Sequence, residues 1–171
     1  MQGVPPYMDD RVARMFHEAL HRVHDADILE RLCDTRSDSA AILRILALEV
    51  LLKCTLLLCG QEPKNSHNYK NLWLGLPGHV RKKVLAVAVA TMPGHADLAN
   101  LEERLQWWQF VFERARYHYE LYEKYTLKEQ SELGDLWLEL GAPDQEAVVQ
   151  YFPLELQCLI AGLTAYVEGA A

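Results

Sequence analysis

Apolar residues recur along this chain in steps of three and four almost throughout, and sustained period-two alternation is nearly absent. That spacing predicts an all-α, up-and-down helical bundle with a C-terminal helical extension. A first helix is expected from a cap at Asp9 or Asp10 to about Leu32, with Asp34-Thr-Arg-Ser-Asp38 breaking it and supplying the next cap. The second helix, through Ser39 to Cys59, is apolar on nearly every face and stops at Gly60, a residue suited to a helix end. A loop from Gln61 to Asn68 then leads to a short helix with Tyr69, Leu72 and Trp73, closed before Pro77. Further helices are expected from about His79 to Thr91, from Leu98 to about Tyr125, from Leu127 to Leu140, and from near Pro153, a favourable first-turn proline. Met92–Asp97 is a turn ending in a cap, and Gly141-Ala-Pro143 is a break.

Two of these segments carry polar residues where their surroundings make them conspicuous. A helix that is apolar all round is normally buried on several sides, yet the second one contains Arg44, Glu49 and Lys53. Those charges argue against a membrane span, which wants roughly 18 or more nearly uncharged residues. Glu49 and Lys53 form an i,i+4 pair, worth only a few tenths of a kcal/mol if exposed. Lys53 is expected to snorkel to solvent from a structural pair; a buried Glu49 would instead seek a cation on the long helix, with Arg114 the candidate. In the long helix, Leu101, Leu105, Trp108, Phe112, Ala115, Tyr119 and Tyr122 make one apolar seam. Arg104, Trp107, Val111, Arg114, His118, Leu121 and Tyr125 form a neighbouring stripe rotated by about 100°. Arg114 and His118 then lie one turn apart on the shoulder of the buried face, where a groove or a contact between two copies is expected.

Size and charge narrow the function classes. The 171 residues suffice for one sizeable core, with no composition break to suggest a second domain. The formal charge of −7 excludes binding to nucleic acid through bulk electrostatics, so any phosphate contact needs a local basic patch. Arg81-Lys82-Lys83 is the densest basic run; it is either such a patch or a solvated helix start. The four cysteines lack CxxC spacing and read as reduced thiols. With no signal-peptide pattern at the N-terminus and no membrane helix, a cytoplasmic protein is expected.

Arg114 and His118 are the residues best suited to chemistry. Cleaving RNA without a metal requires one group to take the 2′-hydroxyl proton, another to protonate the leaving oxygen, and a cation for the phosphate. Histidine serves either proton role and arginine offers phosphate a bidentate fork. The competing reading is structural, with both side chains paired to Glu113, Glu120 or a core-edge partner. Rings between Trp107 and Tyr125 either stack on bases or fill the core. His17, His21 and His24 share a face of the first helix, but seven residues span about 10.5 Å, too far for one ion held at about 2.1 Å per imidazole. The single Glu18-Ala-Leu-His21 match falls short of a di-iron bundle's motif set. No metal and no cofactor are expected.

The order of these segments resembles the HEPN superfamily (higher eukaryote and prokaryote nucleotide-binding). The similar residues are Leu48-Glu49-Val-Leu-Leu-Lys53-Cys-Thr-Leu-Leu-Leu-Cys-Gly60, then Ser66-His67-Asn68-Tyr69 with Leu72-Trp73 closing at Leu76-Pro77, and Arg116-Tyr117-His118-Tyr119-Glu120 farther on. They look like the E-x-L-L-K-A-L-L…G, G-H-D-L-x-x-L and R-Y-x-Y-E signals of small bacterial members, over roughly residues 38 to 125. The resemblance implies a bundle that dimerises, here through the long helix 98–125. It also implies an RNA-directed role of toxin–antitoxin or phage-defence type, with an antitoxin or nucleotidyltransferase partner. Active members are metal-independent endoribonucleases that place four to six residues between an arginine and a histidine; three separate Arg114 from His118. The resemblance therefore leaves three expectations open: a ribonuclease using Arg114 and His118 with Glu49, Lys53 and Tyr119 in support, a degenerate RNA-binding relative, and a non-catalytic homodimerising interaction module.

Overall fold

The central element is α2 (Asp38–Leu58), on which the rest of the bundle is laid. The computed structural model describes residues 10–33, 37–115, 122–141 and 149–170. Among these, α1 (Asp10–Leu32) packs most extensively against α2, and α3 (Tyr69–Gly75), the C-terminal helix α7 (Pro153–Ala170) and a turn at 111–115 cover further sides. Twelve of the 21 residues of α2 are buried, so its all-round apolar sequence is matched by neighbours on several faces. Ser37 caps it, its side chain accepting from the Ala40 amide, and Gly60 follows the helix end at φ 73°, a conformation glycine adopts without strain. All seven α-helices assigned among the described residues fall where the hydrophobic spacing predicts them, no strand occurs there, and no helix is long and apolar enough to cross a membrane.

The long helix departs from expectation at both ends. It begins at Leu101 rather than Leu98, as α5 (Leu101–Phe110). Asp97 does not cap it: the carboxylate accepts from the Ala99 amide at 2.9 Å, and the Asp97 amide donates to Glu155 on α7 at 3.0 Å. Asp97 thus ties the preceding turn to the C-terminal helix. After Phe110 the backbone widens into a π-helical turn, Val111–Ala115. Such i→i+5 turns insert residues into the helical register and recur at functional positions. The expected rod does not reach Tyr125 either, because Tyr122 to Tyr125 form a turn. Thr126 and Glu129 make a reciprocal capping box, with Thr126 in extended backbone (φ −70°, ψ 159°), so α6 (Leu127–Glu139) starts afresh there.

The first half of the predicted seam is sound: Leu101, Leu105, Trp108 and Phe112 are buried. Trp108 donates its indole N–H to the Tyr151 carbonyl at 2.6 Å, and the Arg104 guanidinium lies 3.8 Å above the Phe152 ring. These contacts fix the entry of α7, whose Pro153 occupies the first helical position. On its other side, α7 meets α4 (Gly78–Thr91) at close range. A Cβ at Gly162 would stand 2.4 Å from the Val84 carbonyl and 3.2 Å from the Ala88 methyl.

The four cysteines are free. Cys54 is fully buried with Sγ 3.7 Å from the Val12 carbonyl, and burial pushes its thiol up to about 12. Cys33 is exposed. A thiol reagent at neutral pH is therefore expected to label Cys33 rapidly and Cys54 only on unfolding; mass spectrometry of the labelled peptides checks this. Gly162→Ala is expected to destabilise by about 1–3 kcal/mol by overpacking against a backbone carbonyl. Gly134→Ala on α6, with nothing within 4 Å, should stabilise by up to about 1 kcal/mol. Urea unfolding of the two variants distinguishes them.

Candidate functional site

A carboxylate inside a helical core needs donors, and Glu49 has two. It is 6% exposed, on the side of α2 that faces the loop leading into α3. Lys53, one turn along α2, donates its ammonium to Glu49 Oε1 at 2.6 Å. His67, from the loop, lies with Nδ1 2.8 Å from Oε2. Each oxygen therefore holds a different donor. The loop is fixed by local chemistry: the Asn68 amide donates to the Ser66 hydroxyl, and Asn68 caps α3 by accepting from the Asn71 amide at 2.8 Å. Tyr69 then enters the core, fully buried.

This cluster has a direction. A carboxylate that accepts from an ammonium is ionised and can only accept, so in this contact the proton sits on His67 Nδ1. A neutral imidazole held that way turns its Nε2 lone pair away from the carboxylate. The His67 side chain is 51% exposed, whereas those of Glu49 and Lys53 are 8% and 16% exposed. The ring packs on Phe112 of the π turn, centroids 5.0 Å apart, and Phe112 also meets Tyr69. A buried carboxylate, an imidazole oriented by it and open to solvent, and two aromatic rings make an arrangement able to take up and release a proton.

Of the residues singled out in the sequence, the structure brings Glu49 and Lys53 together and adds His67. It does not join Arg114 to them: Arg114 is exposed on the π turn and makes no hydrogen bond or ion pair with a described residue. The cation expected to reach Glu49 from the long helix is replaced by Lys53 from the same helix and His67 from the loop. His118 and Tyr119 lie outside the described residues. Arg81 is half-buried and Lys82 and Lys83 exposed on α4, which packs chiefly against α7 and not on the α2–α3 face. The His17 and His21 rings are neighbours at 6.4 Å, Glu18 pairs with Arg22, and among the described residues no three His, Cys, Asp or Glu side chains are grouped to hold a metal.

Two sets of contacts are not given by the sequence spacing. His67 was visible only as part of Ser66-His67-Asn68-Tyr69; its partner stands 18 positions earlier, a separation no helical spacing encodes. Arg44 is a second buried charge, 3% exposed, clasped by Asp27 at 2.7 Å and Glu30 at 2.5 Å of α1. Burial opposes its charge, but the hydrogen bonds to Glu30 and Asp27 outweigh that and hold the guanidinium above its ordinary pKa. Sealed between α1 and α2, Arg44 serves as a clamp and offers nothing to a ligand. No protein-family model, curated protein or solved structure matches this chain.

Removing the carboxylate leaves Lys53 short of a partner in a nearly dry place. Glu49→Ala is expected to destabilise by about 2–4 kcal/mol, and Lys53→Met in that background to recover part of the loss. Denaturant unfolding of the single and double variants measures this coupling, and additive effects would show that the pair does not interact.

Proposed function

We propose that this chain is a HEPN-like, RNA-directed protein of the toxin–antitoxin or phage-defence kind, in which His67, backed by Glu49, moves the proton. The observation that carries this reading is the solvent-open imidazole whose Nδ1 lies 2.8 Å from a buried carboxylate that Lys53 also contacts. Such a base, acting through Nε2, suits removal of a 2′-hydroxyl proton without a metal. Arg114, exposed and without a described carboxylate partner, is available to phosphate. His118, four residues beyond it, supplies the second proton-transfer group that the family resemblance implies. Glu49 is a positioning residue, since it touches the imidazole and not the substrate. A second, antitoxin-like chain follows from the same resemblance, and the four free cysteines support a cytoplasmic setting.

A second reading, a non-catalytic interaction module, is favoured by one specific observation: Arg114 does not join the Glu49 cluster. In that case Lys53 and His67 serve to neutralise Glu49 and to hold the loop 61–68 on α2.

Incubating the purified chain with RNA in EDTA, beside His67→Ala, His118→Ala and Arg114→Ala, separates the two. The ribonuclease reading expects cleavage by the wild type and a loss of about 10²-fold or more in His67→Ala, the range for removal of a general acid–base group. Glu49→Gln should lower the rate less and shift its pH profile. Wild type and variants that are equally inactive, with equal RNA affinity, would leave the interaction module standing.

A further inference from the structure

Helix α6 is amphipathic and yet none of its residues is buried. Leu133 and Leu136 share one side, continued by Leu140 just past the helix end, whereas at about 100° per residue Leu127 and Leu138 fall on the opposite side; all five are between 48% and 87% exposed. Exposed leucines aligned on one side of an otherwise charged helix mark a surface made to be covered. The helix is also acidic, with Glu129, Glu132, Asp135 and Glu139 against the single Lys128. Two α6 helices laid together would therefore repel each other.

The complementary surface is on α4. Its inner side, Val80, Val84 and Ala88, is buried against the bundle. Its outer side begins with Lys82 and Lys83 and continues with Ala86, Val89 and Ala90, all exposed and without one acidic residue. Small side chains let another helix approach closely, and Lys82 and Lys83 lie one turn before them. The two helices, 14 and 13 residues, are also matched in length, about 20 Å each. On the long helix, the Leu101, Leu105, Trp108 and Phe112 face is buried inside the protomer, as its apolar spacing predicts, and is not open to a second copy.

We infer that α6 docks on α4 of a second copy of this chain, Leu133 and Leu136 on the Ala86–Ala90 surface and the neighbouring carboxylates beside Lys82 and Lys83. A twofold axis makes the contact reciprocal, so that both α4–α6 pairs close and no surface is left to propagate. This pairing is independent of RNA chemistry and holds equally for an inert protein.

The test uses the full chain and two charge-reversed variants, Lys82→Glu/Lys83→Glu and Glu132→Lys/Asp135→Lys, with mass measured by light scattering across a concentration series. Both substituted sets are exposed, and circular dichroism verifies that each variant remains helical. The wild type should be dimeric at tens of micromolar, each variant should dissociate at least tenfold more readily, and an equimolar mixture should recover the dimer, since opposite charges again face each other in both contacts. Leu136→Glu should abolish pairing in either background. A monomeric wild type, a dimer indifferent to both charge reversals, or an α4–α6 cross-link confined to single chains would overturn the assignment.

Discussion

The constraint on which this structure depends is that α2 runs through the middle of the bundle and carries charge with it. Burying Leu48, Leu51, Leu52 and their neighbours removes apolar surface from water and provides much of the driving force for collapse. The same burial would strand Arg44 and Glu49 without partners, a penalty of several kcal/mol for each ion. The fold answers both from outside the apolar core. Asp27 and Glu30 of α1 close over Arg44, while Lys53 and His67 close over Glu49. Each charge on the central helix therefore specifies a neighbour: Arg44 sets how α1 lies on α2, and Glu49 sets where the loop before α3 is anchored.

The two clusters have opposite outlooks. Arg44 is sealed, and its role ends with holding two helices together. Glu49 is equally deep, but its second partner, His67, is half in solvent, so the buried charge is communicated to the surface through one imidazole. The π turn at 111–115 contributes to this by presenting Phe112 to the His67 ring. An uninterrupted α-helix would have carried residues after Phe110 along a different register. The irregular part of α5 and the one outward-facing group of the Glu49 cluster thus coincide.

Helical spacing made most of this architecture legible. The extents of α1, α2, α4 and α6 follow from apolar periodicity and from Ser37, Gly60 and Thr126 at their ends. The buried Glu49–Lys53 pair was legible too, because a charged i,i+4 pair in an all-round apolar helix has few alternatives. What sequence spacing could not supply was tertiary. Asp97 looks like a helix cap but is engaged by Glu155, 58 positions away, and the start of α5 moves accordingly. The Thr126–Glu129 capping box is a local signal and starts α6 at the expected Leu127, but the turn at Tyr122–Tyr125 before it is not written in the apolar seam. His67 reaches Glu49 only because the loop folds back over α2.

The most direct measurement of the central claim is the tautomer of His67 by nitrogen-15 NMR, in wild type and in Glu49→Gln. If the buried carboxylate orients the ring, neutral His67 carries its proton on Nδ1, that proton exchanges slowly, and Glu49→Gln restores an ordinary tautomer mixture. A neutral ring protonated on Nε2 in the wild type, or a tautomer balance unaffected by Glu49→Gln, would contradict the account.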